Sequence, residues 1–158
     1  MRALFLGLIL AVAAVSPSPA FAGGEKPASA KRPASSRAHI EVNVVHGTDD
    51  EVGMDPSLSK SLAGQLRSFR YKGYRLLESH SADLAPGADA AFAIAGGRTL
   101  TVTLVDKDGD HARVRVEIVG KKGKLIDTTV KINRDGTFIV GGPQYKGGVL
   151  FLPLKVSY

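Results

Sequence analysis

The chain has no cysteine. That absence excludes disulfides and a thiol nucleophile, and it removes the residue that an exported lipoprotein needs at its cleavage point to carry lipid. Nor does the sequence hold a helical HExxH, a GxSxG elbow, a GxxxxGK(S/T) loop, or a GxGxxG leading into a helix. The spacings that most directly advertise zinc hydrolysis, serine catalysis or nucleotide binding are therefore missing. The glycine pairs Gly96-Gly97, Gly141-Gly142 and Gly147-Gly148 stand at the ends of strand-like runs and read as turns. Long apolar runs are also scarce, with a single candidate at the amino terminus.

That run is informative. Met1 and Arg2 precede thirteen uncharged residues, Ala3 to Val15, and SPSPAFAGG follows, with Ala20-Phe21-Ala22 in a small-x-small pattern. This predicts a secretory signal peptide over 1–22, cleaved after Ala22, since an anchor would need about 20 apolar residues to span a bilayer. Residues 23–38, GGEKPASAKRPASSRA, contain nothing large and apolar. They predict a disordered linker rich in Ala, Pro, Ser and Lys. Of the net charge of +6, Arg2 carries one unit and the linker three, through Lys26, Lys31, Arg32 and Arg37 against Glu25, which leaves +2 for the remainder. A basic excess held largely in a tether, in an exported chain, argues against nucleic acid and toward another envelope or secreted protein, or a polyanionic envelope surface.

The remaining residues, 39–158, suit a single globular domain. HIEVNVVH at 39–46 alternates as a half-buried strand. YRLLESH at 74–80 and ADAAFAIAG at 88–96 predict strands on either side of the LAPG turn. From Thr99 to Gly142, four alternating segments are punctuated by DKDGD, GKKGK and NRDG, the pattern of an antiparallel meander. VLFLPLKVSY at 149–158 is apolar on both faces, which suits a doubly covered strand, while Pro153 argues against a fully central position. One helix is predicted over about 56–69, capped by Asp55 and started by Pro56, with Leu58, Leu62, Leu66 and Phe69 on one face. The expected fold is α+β: an antiparallel, meander-type or sandwich-like sheet of roughly seven to eight strands with the amphipathic helix packed on it.

Two stretches raise questions of chemistry. DKDGDH at 106–111 places Asp106, Asp108 and Asp110 at calcium-loop positions 1, 3 and 5, with Glu117 at position 12, yet His111 stands where the sharp turn wants glycine and the flanks are strands. It reads as a hairpin turn, so no metal ligand or cofactor is assigned. His46, His80 and His111 each have an aspartate nearby in sequence but share no recognised catalytic spacing, and no catalytic residue is assigned. The expectation is a non-enzymatic interaction module of a periplasmic or secreted assembly. Its contact residues would be Arg70, Tyr71, Lys72, Tyr74 and Arg75 of YKGYR and its flank, with Tyr145 and Lys146 of GGPQYKGG, or else an exposed strand edge. A glycan, lipid or other small-ligand module is the alternative, and a hydrolase using His46, Asp49 and Asp50 is a further one.

Overall fold

A computed structural model describes residues 37–158. The predicted signal peptide and nearly all of the predicted linker lie outside the described residues. Ala38, assigned to the linker from composition, instead opens the first strand as a fully buried residue opposite Leu84. Its methyl is small enough to close the core at the strand end, which a composition window does not register.

The elements run β1 (Ala38–Thr48), β2 (Gly53–Met54), α1 (Lys60–Leu66), β3 (Gly73–Leu84), β4 (Asp89–Ile94), β5 (Arg98–Lys107), β6 (His111–Gly120), β7 (Gly123–Asn133), β8 (Thr137–Tyr145) and β9 (Gly148–Ser157). Each segment read as a strand contains one, though ADAAFAIAG is strand only over Asp89–Ile94, and the two-residue β2 has no counterpart among the expected strands. The strands form two sheets, one ordered β2-β3-β1-β9-β8 and one β4-β5-β6-β7. All pairings are antiparallel except the short contact of β2 with β3.

The predicted four-segment meander thus stops one strand early. β5, β6 and β7 pair in sequence, with β4 added at the edge, but after the NRDG turn β8 leaves this sheet and pairs with β9 in the other. Asp135, with φ of 57°, makes the reversal, while Gly136 donates its N–H to the Asn133 carbonyl and its own carbonyl accepts from the Val156 N–H. A local turn signal specifies that the chain reverses, and says nothing about which sheet receives the next strand.

Inward-facing residues of both sheets make one apolar cluster. Ile40, Val42 and Val44 of β1 and Leu150, Leu152, Leu154 and Val156 of β9 meet Leu100, Val102 and Leu104 of β5 and Val114, Val116 and Ile118 of β6. Each such side chain contributes about 1.5–3 kcal/mol when fully buried. β9 lies between β1 and β8, so the expectation that Pro153 keeps it from a central place is overturned. The register with β1 runs to Val42 opposite Leu154 and resumes at Val45 opposite Phe151, so the ladder is interrupted beside Pro153, where the missing N–H would have been called upon.

The outer face of the first sheet carries a second cluster: Val45, Tyr74 and Phe151 from the strands with Leu58, Leu62 and Leu66 from the helical segment. Coverage on both faces explains why Val44 and Val45 are buried in succession. The helix is shorter than its apolar stripe predicts. Its N-cap is Ser59, whose Oγ accepts from the Leu62 N–H, and it spans seven residues. Asp55 does not cap it. Its carboxylate accepts from the N–H groups of Ser57 and Leu76, tying a turn that contains Pro56 to β3. Those two backbone donors lower the Asp55 pKa.

On the outer face of the second sheet Asp127 accepts from Nε and Nη2 of Arg115 at 2.7 Å each and from Lys124 Nζ at 2.8 Å, with Glu117 beside both cations. Arg115 first, and Lys124 next, hold the Asp127 carboxyl far below its usual range. Arg113 likewise lowers the pKa of Asp106, through its hydrogen bonds. A carboxylate whose pKa is lower in the folded than in the unfolded chain stabilises the fold above the unfolded value of about 4, and that contribution is lost as pH falls. The urea midpoint is therefore expected to drop below about pH 4. D127N should flatten that drop while lowering the midpoint at neutral pH; parallel curves for the two proteins would contradict the assignment.

Candidate interaction cleft

The GGPQYKGG stretch is mostly strand. Gly141 to Tyr145 belong to β8, with a register break between Gly141 and Gln144, and only Lys146 and Gly147 form the turn into β9. Both have positive φ, 43° and 75°, the conformation of the two-residue hairpin turns whose twist matches the strands. A lysine in that region is uncommon, since its Cβ crowds the backbone. The cost is sustained by the pairing of Tyr145 with Gly148 on either side.

Two side chains from different sheets hold the approach to this turn. Arg98 of β5 donates Nη2–H to the Gln144 carbonyl at 2.7 Å, and His46 of β1 donates Nε2–H to the Tyr145 carbonyl at 2.9 Å. The His46 and Tyr145 rings also meet edge to face, with centroids 5.3 Å apart. A carbonyl only accepts, so the bond places the hydrogen of neutral His46 on Nε2. Neither partner was legible in the sequence. His46 lies beside Tyr145 only because the β8–β9 hairpin packs next to β1.

Tyr71 stands at the opposite wall. It lies between α1 and β3, half-buried, with its ring edge to face on Phe151 at 5.7 Å. Phe151 also packs against Phe69 and Tyr74, and its ring lies over Gly47, where a Cβ would come within 2.6 Å of it. Between Tyr71 and residues 144–149 opens a cleft of about 360 Å³. The loop after β1 braces the Tyr71 side, with Asp49 Oδ1 accepting from the Lys72 N–H, and Asp50 of the same loop lies near Gly147 on the other side.

Of the contact residues expected from sequence, Tyr71, Tyr145 and Lys146 line this cleft, while Arg70 and Lys72 are exposed neighbours of Tyr71 in the chain. Lys146 Nζ sits 5.4 Å from the Tyr145 ring centre. Arg75 belongs to a separate hollow of about 400 Å³ lined by residues 51–56 and 74–76, where it pairs with Glu51 at 2.7 Å. Tyr74 is placed differently from the expectation. It is 5% exposed, a core side chain against Phe151, and burial pushes its phenol pKa up. The alternation of YKGYR turns Tyr74 inward to the helix, which the composition of the segment conceals.

DKDGDH forms a tight turn between β5 and β6. Asp108 Oδ1 accepts from the N–H groups of Asp110 and His111, and Asp106 is engaged by the Arg113 guanidinium. Those carboxylates are committed to the turn and the sheet. The other histidines have separate surroundings: His80 bonds Glu78 at 2.9 Å and stacks on Phe92, and His111 lies 3.7 Å from Asp108. Among the described residues no three His, Asp or Glu side chains converge as a metal-holding group. No described helix is long and apolar enough to cross a membrane.

No family model, no curated protein and no solved structure matches the chain.

Proposed function

We propose that the chain is an exported, non-enzymatic interaction domain of sandwich-like β architecture that contacts another envelope or secreted component through the Tyr71–Tyr145 cleft. One observation carries this reading: two Tyr/Lys segments, far apart in sequence, meet across a single cleft, and the Tyr71–Lys72 side is hydrogen-bonded to the loop after β1 through Asp49. Aromatic side chains bury large area at low entropic cost, and flanking cations steer an acidic partner. Arg70, Lys72 and Lys146 supply those cations, so the partner surface is expected to be acidic or polyanionic.

The test is affinity capture of the cross-linked protein from its own envelope, beside the triple variant R70Q/K72Q/K146N. Asparagine at 146 removes the charge and accepts the positive φ, so the turn should survive. Recovery of one specific neighbour by the native protein, reduced about tenfold in the variant, is the expected outcome. Equal recovery from both would refute the cleft as the contact surface. The volume of the cleft also falls within the range of small-ligand sites, about 300–1,000 Å³. A thermal shift with an acidic envelope glycan, abolished in Y71A, would move the role from a protein partner to a small ligand.

A further inference from the structure

The sheets end on β2 with the length of β3 that β2 leaves uncovered, on β8, on β4 and on β7, and all of these edges except β4 carry devices that blunt edge-to-edge pairing. β3 is covered by β2 at Gly73 and Tyr74, has an extra residue at Leu77, and bears Arg75, Glu78 and Asp83. β7 has a register break at its start and bears Lys124, Asp127 and Lys131. β8 is interrupted between Gly141 and Gln144, around Pro143. β4 has none of these. Its six residues, DAAFAI, pair with β5 in unbroken register, contain no glycine or proline, and carry one charge, at the first position. Among the described residues β4 pairs with β5 alone, which leaves the backbone groups of its other side available to a further strand.

We infer that β4 is a self-association edge, and that its occupant is β4 of a second copy of this chain, added antiparallel across a two-fold axis. The strand's own pattern selects that occupant. A two-fold axis normal to the sheet keeps outer residues outer, so residues facing each other must have the same parity. With Ala91 opposite the partner's Ala91, Phe92 faces the partner's Ala90 and Asp89 faces the partner's Ala93. Each large or charged side chain then meets an alanine, and the two aspartates lie at opposite ends. Moving the axis to Phe92 would set two phenylalanine rings directly against each other. Phe92 is held for the paired arrangement, because its half-buried ring stacks on His80 of β3 at 4.8 Å and an interplanar angle of 18°. A near-neutral strand offers a foreign chain little charge pattern to recognise, whereas its size pattern is complementary to its own reverse.

The association is independent of the Tyr71–Tyr145 cleft, and the cleft variant should dimerise like the native chain. The test is mass measured by sedimentation and light scattering over a concentration series of the full exported chain, with A91K beside it. Ala91 is exposed on the outer face, so lysine there should leave the monomer folded while setting like charges opposite each other. A dimer in the native protein and its loss in A91K is the expected result. Because the chain has no cysteine, A91C gives a second readout. Opposed residues of antiparallel strands lie within disulfide reach, about 4.5–5.5 Å between Cα atoms, so A91C should cross-link to itself on mild oxidation. A93C should not, since it would lie about 13 Å from the partner's A93C in this register. A native chain that stays monomeric up to about 1 mM would overturn the inference. So would a dimer that persists in A91K, or cross-linking of A93C as fast as that of A91C.

Discussion

Replacing Phe151 by alanine is expected to destabilise the domain by about 3–5 kcal/mol, the range for truncating a buried aromatic. Phe151 is 4% exposed and lies on β9, between β1 and β8, on the face opposite Leu150 and Leu152. Its ring is the common neighbour of Phe69, Tyr71 and Tyr74, so truncation leaves a hollow bounded by three other rings and the bare backbone of Gly47. Rigid strands beneath it cannot collapse into that space. Total stability of a domain is about 5–15 kcal/mol, so such a loss should be visible as a large fall in the urea midpoint. Phe138→Ala is the control. That ring is 42% exposed, and its loss should cost a small fraction of the Phe151 effect. Equal shifts for the two would mean that the second cluster contributes far less than its packing implies. Phe151→Ala should also weaken partner capture, because Tyr71 loses the ring that orients it.

Gly148→Ala should be nearly as damaging, for a different reason. A Cβ at this position would collide with the Gly47 carbonyl and stand 2.8 Å from His46 Nε2. The obstructing atom is backbone of a paired strand, so no side-chain rotation relieves it. The expected cost lies at or beyond the upper end of the ~1–3 kcal/mol typical of overpacking. The same shift would separate His46 from the Tyr145 carbonyl and open the cleft wall. Gly141→Ala, with no atom within 4 Å of its added Cβ, should leave the thermal midpoint almost unchanged. If Gly148→Ala proved equally silent, the close approach of β9 to β1 at this end would be disproved.

These residues show how legibility in the sequence was divided. Leu58, Leu62 and Leu66 were readable as one face, and all three are buried, yet the helix ends at Leu66 and starts after Ser59. Asp55 and Pro56 looked like a helix start but make a turn, because Asp55 has a better partner in the Leu76 N–H of a strand far along the chain. Tyr71, Tyr145 and Lys146 could be picked out as unusual turn-flanking residues, while their meeting at one cleft could not. Of the two side chains that hold the cleft's second wall, His46 stood out only as a candidate for hydrolysis beside Asp49 and Asp50, and Arg98 carried no local signal.

Strand positions and the inward-facing residues were local information: Leu100, Val102 and Leu104, or Val114, Val116 and Ile118, are marked by a two-residue period that depends only on neighbours along the chain. So were the reversals at DKDGD, GKKGK and NRDG, because turn geometry is a property of a few adjacent residues. Long-range packing set the rest: β8 leaves the meander, β9 lies between β1 and β8 despite Pro153, and Tyr74 is core while Tyr71 is not. Strand pairing and ring packing are settled by contacts between distant segments, and the energy that selects them is summed over the whole core, so no short window of residues contains it.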